Sequence, residues 1–287
     1  MAAINTDEKI PDASASILLN LRSRLGSLVS RTDFKSVRKH FIFVGYPRSG
    51  HSIIGALIDA HPEAICSHEL DALYFAANGY SRNQIFWLIR EKSKNFQRTG
   101  NQWNGHDYHF HSGFQGKTDT PEVIGDKKGG RSLRRINKDP DLITIYDTIM
   151  GSETLLVHVF RDPKENLLSR LKYRRKRENR SDSELMQKIM VLHESSMRTI
   201  QRLEKTHTIL HLNFDQVIKE PEVNLAMLFN ALSLSPQEKL MEEFKLRVDK
   251  SKTSSSIEYT WTKEEIDQLE SWYQKFSFLK TNTTNQK

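Results

Sequence analysis

A short stretch near residue 50 carries the residue types needed to bind an anion. The sequence VGYPRSGHS (residues 44–52) places Gly45 and Gly50 around Arg48, with hydroxyl side chains at Ser49 and Ser52. Backbone N–H groups of a glycine turn at the start of a helix can converge on an oxyanion, and arginine adds a charge that is not lost by deprotonation. The stretch therefore predicts a phosphate or sulfate site, with a ligand-free glycine turn as the alternative.

This loop differs from that of a nucleotide hydrolase at one position. Where such a loop carries lysine after its second glycine, this chain carries His51. A hydrolase also needs an acid on a later strand to help hold magnesium. The candidate, Asp162, stands between Arg161 and Pro163, which gives that strand end a cationic character. A ligand with anionic groups at two ends is favoured, and a P-loop kinase or NTPase remains the alternative.

The elements around this loop indicate a parallel sheet. The continuous apolar run 41–44 before the loop is typical of a strand buried on both faces, and residues 52–61 after it predict a helix that ends before Pro62. Similar runs predict strands at residues 63–69, 122–126, 154–160 and 207–214. Helical spacing separates them at residues 82–93, 141–150, 164–177, 183–205 and 222–232.

Buried strands that alternate with helices predict a P-loop-type α/β fold, a parallel sheet with helices on both faces, in a single domain. We assign residues 38–287 to this domain and residues 1–37 to an N-terminal extension with a short amphipathic helix. The leucines of that helix predict packing on the domain, and peripheral membrane binding is the alternative. Ligands of such sheets bind at the carboxyl ends of the strands, where the glycine loop lies.

Composition limits the class of protein and its partners. The 287 residues carry a formal net charge of +7, which favours an anionic partner without specifying it. The single cysteine, Cys66, cannot form an intrachain disulfide and is expected to be buried. No run of about 18 apolar residues is present, and the first residues lack the pattern of a secretion signal. We therefore expect a cytoplasmic protein without a membrane span.

Two residues after the second predicted strand could act as a general base. His68 and Glu69 are adjacent, so the alternation of a strand lets about one of them face the cleft. The residues alone leave both possibilities open.

The sequence GYPRSGHSIIGALIDAHPEAICSHE, followed about a hundred residues later by VFRDPKENLLS, resembles the PAPS-dependent sulfotransferases. Its first part looks most like the tyrosylprotein branch, and weaker resemblance extends over residues 38–235. The resemblance implies transfer of a sulfuryl group from 3′-phosphoadenosine 5′-phosphosulfate (PAPS) to an acceptor hydroxyl by in-line displacement, without a metal. The acceptor is left open among glycan, lipid, peptide and small-molecule hydroxyls.

The resemblance also implies roles for individual residues. The phosphosulfate end would be bound by Arg48, Ser49, Gly50, His51 and Ser52. The 3′-phosphate would be bound by Arg161 and Ser169, which keep the family's spacing. The family more often has threonine at the position of His51, so this residue either replaces a hydroxyl donor or caps the helix.

Catalytic roles follow from the same resemblance. Alignment with the tyrosylprotein enzymes makes Glu69 the base, with His68 as the alternative. Arg48 would neutralise the leaving phosphate, and Lys127 resembles the family's active-site lysine.

Three further features are interpreted without a central role. The histidine-rich stretch around His106, Asp107, His109 and His111 has no partner motif for a metal, so we predict a substrate-side loop. The basic run 170–180 predicts a solvated helix face, with nucleic-acid binding as the alternative. Lys250 or Lys252 could close over the nucleotide.

Overall fold

A computed structural model describes residues 13–103, 105–250 and 257–280, and its centre is a five-stranded parallel sheet. The strand order is β2-β5-β1-β6-β7. Its strands are β1 Lys39–Val44, β2 Ala64–His68, β5 Val123–Lys127, β6 Leu155–Phe160 and β7 Ile209–Asn213. A separate antiparallel pair comprises β3 Gln102–Trp103 and β4 His106–Asp107.

Helices connect the strands and cover both faces of the sheet. They are α1 Ala13–Leu28, α2 His51–Asp59, α3 Ala72–Ala77, α4 Arg82–Arg98, α5 Gly130–Lys138, α6 Leu142–Met150, α7 Pro163–Arg175, α8 Asp182–Leu203, α9 Phe214–Lys219, α10 Pro221–Ala231, α11 Glu238–Lys250 and α12 Lys263–Lys275. Single 3₁₀ turns lie at Phe34–Ser36 and Ser277–Leu279.

The central strand β1 shows why apolar runs predicted this fold. Phe41 and Phe43 pack into the apolar cluster on one face of the sheet, and Ile42 and Val44 pack into the cluster on the other. A strand covered on both faces needs apolar residues at consecutive positions rather than at alternate ones. The predicted α/β fold and its five strands are confirmed.

Several elements were not predicted from the sequence. Helices α3, α5, α9, α11 and α12 and the β3–β4 pair gave no clear pattern. In α5, for example, the apolar residues that become buried are only Leu133 and Ile136, among four basic side chains. Such a short basic segment becomes helical through packing against its neighbours rather than through its own periodicity.

The N-terminal helix α1 forms where it was predicted, but its orientation differs from the expected one. It packs on α4 through Ser23 and Gly26, and a Cβ at Gly26 would lie 2.3 Å from the ring of Trp87. Its leucines Leu18, Leu21, Leu25 and Leu28 are exposed. The helix therefore packs on the domain as expected, with Leu19 against the core, but the other four leucines face outward because Ser23 and Gly26 allow close contact with α4.

Within the described residues, no helix is both long enough and apolar enough to cross a membrane. The prediction for Cys66 is confirmed, since its side chain is buried in the apolar cluster against α2.

Candidate active site

The glycine loop between β1 and α2 has the backbone of an anion-binding turn. Gly45, Arg48 and Gly50 have φ values of 137°, 69° and 91°, which lie in the left-handed region. A Cβ at Gly50 would lie 2.4 Å from the ring of Phe214, so only glycine fits there. The loop ends at the first turn of α2, where unpaired backbone N–H groups and the helix dipole favour an anion.

Sheet order brings the second predicted anion motif beside this loop. Strands β1 and β6 are parallel neighbours, so the loop after β1 and the start of α7 after β6 share one edge. The side chain of Arg48 reaches across and donates from Nε to Ser169 Oγ at 3.4 Å. The residues predicted to bind the two ends of one ligand are therefore in contact.

The side chain of Arg161 is held in place by Asp215, which lies at the start of helix α9 directly after β7. Its Nε donates to Asp215 Oδ1 at 2.9 Å, and the other oxygen of Asp215 accepts from the backbone N–H of Asp162, also at 2.9 Å. The carboxylate of Asp162 accepts from Glu165 N and caps α7. Asp162 thus serves as a helix cap, which removes the strand-end acid that the nucleotide-hydrolase interpretation required.

Asn166, which was not predicted, fastens the loop to α7. Its buried Nδ2 donates to Pro47 O at 3.0 Å and to Ser49 Oγ at 3.1 Å. The contact joins residues more than a hundred positions apart. No local sequence pattern indicates it, because the partners are brought together only by the fold.

Lys127 at the end of β5 is the centre of the predicted catalytic group. Its Nζ lies 2.5 Å from Glu69 Oε1, 3.3 Å from Ser52 Oγ and 3.4 Å from His68 Nε2. The side chain is only 2% exposed, so its charge is poorly screened by water. One ammonium group therefore links the anion-binding loop to both candidate bases.

Glu69 is an ionised carboxylate in this arrangement. Burial opposes its charge, but the ammonium groups of Lys127 and Lys128 outweigh burial and hold the pKa of Glu69 below its ordinary value. Lys128 Nζ lies 3.1 Å from Glu69 Oε2. The carboxylate is thus able to accept a proton at neutral pH.

His68, the alternative base, is placed less favourably. Its ring stacks on Phe96 with centroids 4.1 Å apart, and its Nε2 accepts from Lys127. Burial and the neighbouring Lys127 charge lower the pKa of His68 well below the ordinary value. The ring is therefore neutral, with one nitrogen already used as an acceptor.

His51 is buried beneath the loop. Its Nε2 donates to Val44 O at 3.3 Å, and its ring lies edge-on to Phe43. Burial, with a smaller contribution from Lys127, lowers the pKa of His51 to about 4. The N-cap of α2 is Gly50, so His51 occupies the first helical position as a neutral side chain.

The turn that carries Glu69 depends on a buried acid that sequence reasoning missed. Glu69 and Asp71 have φ values of 65° and 74°, a conformation that non-glycine residues seldom adopt and that is often found at functional sites. Asp126 on β5 accepts from the backbone N–H groups of Leu70, Asp71 and Ala72 at 2.8–3.1 Å. These bonds fix the turn beside Lys127.

The histidine-rich stretch contacts neighbouring loops and helix α11. His109 Nδ1 contacts Asn101 Nδ2 at 2.9 Å, and the backbone N–H of His111 donates to Glu243. In the described parts of the chain, no three acidic, histidine or cysteine side chains are grouped as a metal site would require. Lys252 and the side chain of Lys250 lie outside the described residues.

The prediction of a solvated basic helix face was wrong for Arg170. This residue is buried, and its Nη1 donates to His193 Nδ1 at 3.1 Å. Burial, followed by the charge of Arg174, lowers the pKa of Arg170 to about 10. Helix α7 ends at Arg175, so the basic run does not continue as one helix.

The two joined anion motifs and the lysine–carboxylate pair lie at the carboxyl edge of a parallel α/β sheet, which is where α/β proteins of this class bind their ligands. The comparison with protein families is more specific. A family model described as a sulfotransferase domain matches residues 38–285, which is most of the chain. The chain therefore belongs to the sulfotransferase family and is a transferase enzyme, as the sequence resemblance predicted.

Among the solved sulfotransferase structures that are similar to this chain, one with a TM-score above 0.5 shows the same fold. Sulfotransferase STF9 from Mycobacterium avium aligns with a TM-score of 0.51 at 10% identity, covering 91% of this chain and 80% of that one. The sulfotransferase domain of the Synechococcus PCC 7002 olefin synthase gives 0.49 at 14% identity, covering 82% and 94%. The comparison with curated proteins gave no match. The kinase, NTPase and nucleic-acid-binding alternatives are not favoured.

Proposed function

We propose that this enzyme transfers a sulfuryl group from PAPS to an acceptor hydroxyl. The observation that carries the proposal is the contact between the two anion motifs, in which Arg48 donates to Ser169 while Arg161 is fixed nearby by Asp215. The residues fit PAPS because it has phosphate groups at two ends, and the two strand ends offer two neighbouring cationic sites.

Each end of the donor is assigned its own residues. The phosphosulfate end would be held by Arg48, Ser49, Gly50 and Ser52, with His51 supporting the loop from beneath. The 3′-phosphate would be held by Arg161 and Ser169. When bound, PAPS supplies an activated sulfuryl group, and its 3′,5′-bisphosphate is the leaving group of an in-line displacement.

The residues of this chain then remove the proton of the acceptor hydroxyl and stabilise the negative charge that develops on the leaving group. A carboxylate oxygen of Glu69 takes the proton of the acceptor hydroxyl as the acceptor oxygen attacks. Arg48 and Lys127 stabilise negative charge at the loop. Lys127 is buried, so water screens its charge poorly, whereas Arg48 is exposed. His68 stacks on Phe96 and orients the pair through its contact with Lys127.

Thermal unfolding with the 3′,5′-bisphosphate product tests donor binding without knowledge of the acceptor. A ligand at a hundredfold excess over its dissociation constant stabilises the folded state by about 2.7 kcal/mol. We expect this for the wild type and its loss in Arg161→Ala. Arg38→Ala is the matched control, because Arg38 lies before β1 and pairs with Glu122 at the surface. No stabilisation of the wild type, or stabilisation only by ATP with magnesium, would contradict the proposal.

The acceptor class is to be found by screening. Labelled PAPS offered with glycan, lipid, peptide and small-molecule hydroxyl acceptors should give transfer to one class above the rate of hydrolysis. We further propose that residues 38–287 form the catalytic domain, that residues 1–37 are an added segment, and that the enzyme works in the cytoplasm. Fractionation of cells that express the full chain tests its location.

A further inference from the structure

Among the residues that the structure describes, none covers the outward apolar face of α1. At 3.6 residues per turn, five large apolar side chains of this helix lie within an arc of about 100°. All are 52–81% exposed: Ile17, Leu18, Leu21, Leu25 and Leu28. Val29, directly after the helix, is 80% exposed and extends the same surface. Single exposed leucines are ordinary, but a continuous apolar face of this kind marks an interaction site.

This face cannot be buried by rotating the helix. The opposite side is locked to α4, where Gln84 Nε2 donates to Ser23 Oγ at 3.0 Å and to Asn20 O at 3.3 Å. Gly26 on the same side lies against Trp87 too closely for any larger residue. The apolar face is therefore held outward by the contacts that attach α1 to the domain.

The arginines beside the apolar face of α1 indicate a negatively charged partner. Arg22 and Arg24 lie just outside the apolar arc, one on either side, and Arg31 follows the helix. All three are exposed, and α1 contains no aspartate or glutamate. An exposed apolar stripe flanked on both sides by arginine is suited to the interface of an anionic lipid bilayer, where leucines enter the acyl boundary and arginines remain at the headgroups.

Two other ways to cover the face fit less well. The segments 1–12, 251–256 and 281–287 contain only three large apolar residues, Met1, Ile4 and Ile10. A second copy of the chain would place the arginines of one α1 against those of the other, with no acid on either helix to pair with them. Neither supplies both the apolar area and the negative charge.

We propose that α1 binds peripherally to the surface of anionic membranes. The helix lies in the plane of the interface and does not span the bilayer, since none of the described helices is long and apolar enough to do so. The proposal does not depend on the catalytic one, because α1 precedes the residues that match the family.

Co-sedimentation with vesicles tests the proposal on the full chain. We expect binding to phosphatidylcholine vesicles that contain phosphatidylglycerol, and much weaker binding to phosphatidylcholine alone. Leu25→Glu should lower the partition coefficient about tenfold, since it replaces an inserted apolar side chain with a charge. Leu246→Glu on α11 is the matched control, because Leu25 and Leu246 are 65% and 64% exposed. Arg24→Gln should weaken binding to the anionic vesicles only.

The outcomes are distinct. Absence of binding to anionic vesicles, or equal binding to both vesicle types, would overturn the proposal. So would a dimer in light scattering that Leu25→Glu dissociates, because the face would then be covered by a second copy. Circular dichroism of each variant should be unchanged, since the substituted side chains are exposed.

Discussion

At the scale of single residues, the site is organised by charges that hold one another in place. Glu69 sits at a left-handed φ of 65°, and its carboxylate is shared between Lys127 and Lys128 at 2.5 and 3.1 Å. Such a geometry persists only where the surroundings enforce it, and here Asp126 enforces it through the backbone of the following residues. A carboxylate that is held by a strained backbone beside two lysines is suited to catalysis rather than to solubility.

Replacement of Glu69 by glutamine should separate binding from chemistry. The amide keeps the shape of the side chain but cannot accept the proton, so we expect turnover to fall at least about 100-fold. Affinity for the 3′,5′-bisphosphate, measured by calorimetry, should change much less. The matched control is Glu122→Gln, since Glu122 precedes β5 at the other end of the strand and pairs with Arg38.

Retained turnover in Glu69→Gln would move the base to another residue, with His68→Gln as the next variant to test. The two positions are adjacent, and the sequence alone left both open. The structure adds that the Nε2 atom of His68 is already in contact with Lys127 Nζ. Because this contact joins residues that are far apart in the sequence, the residues next to His68 could not have indicated it.

At the scale of elements, the loop and α7 act as one unit. The side chain of Asn166 bonds both Pro47 and Ser49, and Ser169 one turn later contacts Arg48. The two ends of the proposed donor site are thereby fixed relative to each other before any ligand binds. Preorganisation of this kind reduces the ordering cost of binding.

Replacement of Asn166 by alanine should weaken this unit. Loss of two buried hydrogen bonds leaves Ser49 and Pro47 without that partner, so we expect stability to fall by about 1–3 kcal/mol. The affinity for the 3′,5′-bisphosphate should fall about tenfold, as measured by calorimetry below the unfolding temperature. Asn230→Ala, at an exposed position on α10, is the control. Unchanged affinity in Asn166→Ala would show that the loop keeps its form without α7.

The sequence predicted the elements whose own residue pattern is sufficient to indicate burial. The five strands of the sheet follow from apolar runs, and the loop follows from glycine spacing next to β1. Helix α5 and the orientation of α1 depend on which partner each one meets, such as Trp87 against Gly26. Arg48 and Lys127 could be predicted from motifs, whereas Asn166 and Asp126 act through contacts between distant parts of the chain.

At the scale of the whole molecule, several buried or half-buried histidines are neutral at pH 7. In the described part of the chain, burial is the main cause that lowers the pKa of six histidines, namely His40, His51, His68, His158, His193 and His211. Three of these, His40, His51 and His211, have pKa values of about 4. The folded state therefore resists protonation that the unfolded chain accepts near 6.5.

This predicts loss of stability in mild acid. Between pH 6.5 and about 4 the unfolded state binds more protons, so the contribution of each histidine is present above 6.5 and is lost as the pH falls. At about pH 5 the loss is at most roughly 2 kcal/mol for each histidine whose pKa is about 4. Burial raises the pKa of Asp59 and Asp126, which act in the opposite sense but are fewer.

Urea unfolding at about pH 7.5 and about pH 5 measures the effect, and the midpoint should be clearly lower at the acidic value. His211→Asn should flatten the dependence of the midpoint on pH, whereas His106→Asn, at an exposed position, should leave it unchanged. A midpoint that is the same at both pH values would show that the buried histidines do not govern acid stability.

The hydrogen-bonding capacity of the Lys127 ammonium group is already used. An ammonium group has three N–H donors, and Ser52, His68 and Glu69 already account for three acceptors. An anion that takes a hydrogen bond from Lys127 must therefore displace one of them. Where the displaced acceptor is Glu69, binding of an anion at the loop and release of the Glu69 carboxylate from Lys127 are a single exchange of partners.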